Sequence, residues 1–251
     1  YLINGLVYYN NRDIASIINW CFDECVRRLC LRNIPSFVDE LINDVPSVSG
    51  KWNLIREDIL DTLYVCPAFT DKPDASSYTV YRALTKTNPL IKDNMKCELS
   101  AVDSLCSSGK CKTLVLIDDI VGSGKQAIKN WHETNKYVAS VIEPLARTVE
   151  KYNIECYLLV VVGCYDGLKA IRNKTNLKLI AGEFIPSYMS ILNKSFWPEN
   201  GLSHISEIKR IGIEKSIPLR GFKKKSWAIA FNHGIPNVSS PIYYLRSDNW
   251  K

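Results

Sequence analysis

The sequence predicts an α/β protein: a parallel central sheet with crossover helices, a helical amino-terminal layer and a small α+β segment at the carboxyl end. Three observations carry this. Leu114, Val115, Leu116 and Ile117 form a short unbroken apolar run, as in a strand buried on both faces of a parallel sheet. Residues 156–162, Cys-Tyr-Leu-Leu-Val-Val-Val, form a second such run that ends in Gly163. Between residues 63 and 181 apolar runs alternate with helical patterns, and parallel neighbours need such crossovers because no tight hairpin can join them.

Taken in order, the first 60 residues read as helical. Ile14, Ile17, Ile18, Cys21, Phe22, Cys25 and Leu29 recur at the spacing of one buried helix face, with Asp13 as its cap. Pro35 opens a short helix carrying Phe37, Val38, Leu41 and Ile42, and Trp52, Ile55 and Ile59 suggest another. The core then spans residues 61–182. Its first strand is Leu63, Tyr64, Val65 and Cys66, followed by a polar loop and a helix over 78–86. Residues 88–110 are polar and lack clear periodicity. Val138, Val141, Ile142, Leu145 and Val149 mark a helix before the 156–162 strand, Leu168 and Ile171 mark the next, and residues 177–181 form the last strand. Residues 183–251 are richer in aromatics and proline and are expected to pack on the core, with short strands at 228–231 and 242–245.

Composition excludes several classes. With 251 residues and 46% apolar content the chain is long enough for one α/β domain plus appendages. No apolar run is long enough to span a membrane and no signal peptide is visible, so a cytoplasmic location is expected. Beginning at Tyr1 instead of Met, the chain is expected to be part of a longer protein. Nine cysteines, an odd number without a C-x-x-C pair, read as reduced buried thiols. His132, His204 and His233 share no ligand spacing, which speaks against structural zinc. The net charge of +6 permits contact with nucleic acid without requiring it.

Chemistry concentrates after the central strand, in Asp118-Asp-Ile-Val-Gly-Ser-Gly-Lys-Gln126. The strand is expected to end at the paired carboxylates, and a helix to begin near Ala127. A loop that opens a helix presents free N–H groups and the positive end of the helix dipole. Gly122 and Gly124 allow unusual φ values and a close approach to phosphate, and Ser123 adds a hydroxyl donor. Asp118 and Asp119 stand at the carboxyl end of the strand, where open α/β sheets bind ligands. Carboxylates accept hydrogen bonds from diols, so the whole suits a sugar hydroxyl pair beside a phosphate. The same residues also read as an ordinary helix cap and turn. A nucleotide triphosphatase P-loop fits poorly: Asp119 stands where its first glycine belongs, and Gln126 where its hydroxyl residue belongs.

The stretch resembles the ribose-5-phosphate loop of type I phosphoribosyltransferases, in which an apolar strand leads to two acidic residues, two apolar ones and a Thr-Gly-rich loop. Asp118 and Asp119 fall on the acidic pair and Ser123-Gly124 on the Thr-Gly pair, while Lys125 and Gln126 depart from the usual small residue and closing Thr. The variant resembles the divergent phosphoribosyltransferase-like effectors of bacterial anti-phage systems, including those that accompany some retron reverse transcriptases. The resemblance implies catalytic roles for Asp118 and Asp119 and a 5-phosphate site over Gly122, Ser123, Gly124, Lys125 and Gln126. It implies a diphosphate loop after the first strand, with Lys72, Ser76 and Ser77 as contacts, a flexible catalytic loop at 88–110, and a hood-type appendage over 183–251 whose 232–240 loop lies near the base-side pocket. Magnesium bridging ribose and diphosphate oxygens is the implied cofactor, with no direct protein metal cluster. The implied ligands are phosphoribosyl diphosphate or a nucleotide, and the implied partners a reverse transcriptase and its DNA–RNA product.

A separate signal is the basic run of Arg220, Lys223, Lys224 and Lys225 beside Phe222 and Trp227. Basic residues interleaved with aromatics can hold single-stranded nucleic acid. A solvated lysine loop ahead of a strand is the plainer reading. Two functional readings therefore stand. One is an effector enzyme acting at the anomeric carbon of a ribose 5-phosphate, by transfer or by N-glycosidic cleavage. The other is a catalytically inactive module of the same shape that assembles with a reverse transcriptase–nucleic acid complex.

Overall fold

The computed structural model describes Leu2 and residues 5–33, 45–70, 73–134, 143–186, 189–197 and 201–245. The chain opens with strand β1 (Val7–Tyr9), helix α1 (Asn11–Arg32), helix α2 (Val45–Asp61) and strand β2 (Leu63–Pro67). Helices α3 (Ser76–Thr87) and α4 (Val102–Ser107) lead to β3 (Thr113–Val121), and α5 (Lys125–His132) and α6 (Leu145–Lys151) to β4 (Glu155–Cys164). Then come α7 (Tyr165–Lys174), β5 (Lys178–Ile185), α8 (Gly201–Glu214) and β6 (Ile229–Phe231).

Strands β2, β3, β4 and β5 form a parallel sheet in that order, with Val65 opposite Val115, Leu116 opposite Leu158 and Val160 opposite Ala181. The apolar runs are continuous because both faces are covered. Val65, Val115, Ile117, Leu159, Val161 and Ile180 face one core, against α1 and α3. Cys66, Leu114, Leu116, Cys156, Leu158 and Val160 face the other, where α5, α6 and α7 supply Trp131, Leu145, Val149 and Ile171. The nine cysteines are all buried and unbridged. Among the described residues, no helix is long and apolar enough to cross a membrane.

Helix α1 buries the expected stripe, but its cap lies three residues earlier than expected. The Asn10 side chain accepts from the Arg12 and Asp13 amides, and Asp13 returns a bond to the Asn10 amide, a reciprocal capping box. The helix lies directly on the sheet at Gly182, where a Cβ would stand 2.0 Å from Cγ2 of Ile17. Gly182→Ala is therefore expected to cost about 1–3 kcal/mol by overpacking, seen as a lower denaturant midpoint. A midpoint equal to wild type would mean that α1 shifts without cost.

Several expectations are corrected. Residues 7–9 are a strand, not helix, and pair in parallel with β6, Tyr9 opposite Phe231. The two ends of the chain thus build a second small sheet. Beside it lies a small core of Ile191, Trp197, Ile205, Ile208 and Ile242, with Leu2 and Leu6 packed against it. Residues 242–245 are not a strand: Pro241–Tyr243 is a 3₁₀ turn, as suits a proline with no ladder donor. Residues 88–110, expected as a flexible catalytic loop, wrap the open edge of β2 instead. Lys96 bridges to Val65, the Cys97 amide donates to the Val65 carbonyl, and Met95, Leu99, Val102 and Cys106 are buried. The short helix at Pro35 and the 138–142 half of the following helix lie outside the described residues; α6 begins at Leu145.

Candidate functional site

The site arises from a difference in strand length. Strand β3 does not stop at the two carboxylates but runs on to Val121, with Asp118 opposite Val160 and Val121 opposite Gly163. Strand β2 ends at Pro67, opposite Ile117. From Asp118 onward β3 therefore keeps β4 on one side and has lost β2 on the other. The chain after β2 turns away there, and an open cleft of about 830 Å³ occupies the space. That volume suits a small ligand.

Three walls enclose the cleft. The first is Asp118 and Asp119 with the loop Gly122, Ser123, Gly124, Lys125 and Gln126; the second is Ser76 and Ser77; the third is Phe222 and Asn237 from the carboxyl-terminal segment. Helix α3 starts at Ser76 and α5 at Lys125, so two helix N-termini open at one cavity. The N-cap residues, Ala75 and Gly124, supply no side-chain cap. The first-turn amides and the positive ends of the two helix dipoles make the cleft attractive to anions. The Ser123 hydroxyl lies 3.5 Å from the Lys125 amide.

The carboxylates are held differently from each other. Asp118 accepts the Asp119 amide at 3.0 Å through Oδ1. Burial, and then the neighbouring Asp119 carboxylate, push its carboxyl well above the usual range. Asp119 is 7% exposed, and its Oδ1 accepts the Ile120 amide at 2.9 Å. Its Oδ2 faces Nε2 of His233 at 3.1 Å. A carboxylate tied at both oxygens has a fixed plane, with lone pairs left for ligand hydroxyls.

Glycine at 124 has a reason beyond ligand approach. Its φ is +71°, and a Cβ there would stand 2.6 Å from the Gly167 carbonyl oxygen on α7. A branched residue at 124 would thus strain the loop and its helix support before meeting any phosphate. Ser123 is the cleaner position for substitution.

The sequence-predicted residues divide accordingly. Asp118, Asp119, Gly122, Ser123, Gly124, Lys125, Gln126, Ser76 and Ser77 come together around the cleft, while Lys72 lies outside the described residues. Of the basic run, Arg220 and Lys224 are exposed, and the Lys223 side chain lies outside the described residues. Lys225 is bound to Asp166 at 3.0 Å and lies over the Trp227 ring at 5.4 Å, so it is engaged within the fold. Sequence reasoning gave no individual role to His233, Asn237 or Gly167. The first two sit in a Gly- and Pro-punctuated loop, the kind of segment where binding residues collect, but no spacing ties them to Asp119.

Among solved structures, the AQ2163 protein from Aquifex aeolicus is similar at 11% identity with a TM-score of 0.30. The match covers 51% of this chain and 56% of that one, so the chain spans a little over half of that protein's length. No curated protein matches the chain. The family comparison is more extensive: residues 1–251 match the PRTase-CE model, and the chain belongs to PRTase-CE, a family of phosphoribosyltransferase-like effector domains.

Proposed function

We propose that the cleft binds a ribose 5-phosphate ligand, either phosphoribosyl diphosphate or a nucleotide, and that the protein acts on it at the anomeric carbon. The supporting observation is the convergence of two helix N-termini and a fixed carboxylate pair on one cavity. The 5-phosphate rests on the amides of Gly122 to Gln126, and the ribose hydroxyls donate to Asp119 and Asp118. A diphosphate on C1 lies toward Ser76 and Ser77 at the start of α3, where amide donors and the helix dipole stabilise the charge that grows as it leaves. The C1–O bond of the diphosphate, or the C1–N bond of a nucleotide, breaks with its electron pair on the departing atom, and a base or water forms the new bond at C1 and gives up its proton to the leaving group or solvent. No protein nucleophile is required.

Magnesium fits this donor set, since Asp118 and Asp119 offer hard carboxylate oxygens beside the place for phosphate oxygens. When bound it neutralises charge on the diphosphate and favours its departure. Among the described residues no cluster of three or more acidic, histidine or cysteine ligands exists, so ligand oxygens and water would complete the shell.

In its cell the protein would serve as the effector of a retron-type anti-phage system, altering a nucleotide pool, with a reverse transcriptase and its DNA–RNA product as partners. A second reading, a binding module without turnover, is favoured by the packing of residues 88–110 along the edge of β2, where none of them lines the cleft.

Calorimetric titration of phosphoribosyl diphosphate and of nucleotides, with magnesium, tests the ligand. Wild type is expected to bind, and Ser123→Asp to bind at least about tenfold more weakly, because a carboxylate then faces the phosphate. Absence of binding by wild type at millimolar ligand would sink the proposal. Product analysis in the same mixtures separates transfer from binding alone, and phage protection with the genetic neighbours present tests the effector role.

A further inference from the structure

Asp119 is held by a histidine that the other end of the chain keeps in place. His233 sits in the turn after β6, where Phe231 and Gly234 exchange backbone hydrogen bonds at 2.9 and 3.0 Å. Its ring stacks on Phe231, centroids 5.2 Å apart at 12°. Phe231 in turn stacks on Tyr9 of β1 at 5.2 Å and 23°. The Tyr9 hydroxyl donates to Oε2 of Glu183 on β5. A continuous line thus runs from Glu183 through Tyr9, Phe231 and His233 to Asp119. The small β1–β6 sheet is fastened near the carboxyl ends of two core strands, to β5 by Tyr9 and to β3 by His233.

The other imidazole nitrogen fixes the chemistry of this contact. Among the described residues, buried Nδ1 of His233 has no hydrogen-bond partner. A proton there would be a buried donor with no acceptor, so the ring carries its proton on Nε2 and donates it to Oδ2 of Asp119. Backbone on one side and imidazole on the other then leave the carboxylate a single orientation.

We propose that His233 is a positioning residue for Asp119, and that the Tyr9–Phe231 stack holds the histidine in register. The amino-terminal strand then belongs to the support of the ligand site, although it lines no part of the cleft. This rests on the reading of the cleft as a ribose phosphate site.

The test uses the full chain and two readouts, one of them independent of ligand. The first is ¹⁵N-edited NMR of the imidazole rings, with the His233 signals identified by their loss in His233→Gln. The Nε2–H tautomer is expected in wild type and in Tyr9→Phe, which keeps the stack. In Asp119→Asn the ring nitrogens are expected to move, and in Tyr9→Leu to shift toward tautomer-averaged values. The second readout is calorimetry with phosphoribosyl diphosphate and magnesium. His233→Leu and Tyr9→Leu are each expected to weaken binding about tenfold, and His233→Gln, whose amide restores a donor, by less than about threefold. Circular dichroism confirms that each variant is folded, and Phe231→Leu replaces Tyr9→Leu if the latter is not.

Unchanged His233 nitrogens in Asp119→Asn would overturn the inference whatever the ligand does. Wild-type affinity in His233→Leu, or a tautomer indifferent to loss of the stack, would overturn it equally. If wild type binds no ribose phosphate while the NMR outcomes hold, the functional reading falls and the positioning of Asp119 stands.

Discussion

Gly167→Ala is expected to destabilise the protein and to abolish ligand binding, although residue 167 does not line the cleft. In an ordinary helix the change would stabilise by about 1 kcal/mol, because alanine loses less backbone freedom on folding. Here a Cβ would lie 2.1 Å from the Gly122 carbonyl oxygen and 3.0 Å from the Gly124 amide nitrogen. Both are backbone atoms, with no rotamer that moves them aside. Either α7 retreats from the sheet or the loop is displaced. Overpacking of this kind costs about 1–3 kcal/mol. A loop moved by about an ångström no longer presents its amides to one phosphate, and misplacement on that scale costs on the order of a hundredfold. Denaturant titration reads the first effect and calorimetry the second. A stabilised Gly167→Ala variant with normal binding would show that loop and helix are not in register.

Replacing both carboxylates, Asp118→Asn with Asp119→Asn, is expected to abolish ribose phosphate binding, while Asp118→Asn alone is expected to leave the protein at least as stable at neutral pH. Hydrogen bonds to charged groups contribute about 1.5–3 kcal/mol and neutral ones about 0.5–1.5 kcal/mol, so loss of both carboxyl acceptors lowers affinity on the order of a hundredfold. Stability moves the other way because of Asp118. Its carboxyl is pushed up by burial and by Asp119. Between the unfolded carboxylate value, about 3.9, and the raised native value, the native state holds more protons than the unfolded state. Stability from this group therefore falls as pH rises through that window, and the loss persists above it. Asparagine at 118 removes the penalty and still accepts the Asp119 amide. The gain in melting temperature should be present at pH 7 and vanish below about pH 4, where both states are protonated. Melting curves across this range check the sign. A gain that persists at low pH would assign the effect to something other than Asp118 ionisation.

The sheet was legible because its signal is local. Leu114 to Ile117 and the 156–162 run are apolar at every position, and only a strand covered on both faces requires that. The loop after the central strand was legible for the same reason: glycines, a hydroxyl and paired carboxylates are contiguous in the chain. The end of β3 was misplaced because charge suggested a turn, whereas β4 goes on pairing past Asp118 to Val121. The sequence of residues 88–110 suggested an open loop. Their apolar positions are irregularly spaced because the segment wraps an edge and does not cross a face.

What the amino-acid sequence determined by itself is the class of fold, the central strand and the acidic, glycine-bearing stretch that follows it. Tertiary structure alone decided that Gly167 seats that loop. It also decided that His233, held by Tyr9 from the opposite end of the chain, fixes Asp119. Periodicity and spacing record which residues share a face of one element. They carry no trace of contacts between elements more than a hundred residues apart, such as Asp119 with His233, because those depend on how far each strand outruns its neighbour and which end of the sheet each loop reaches.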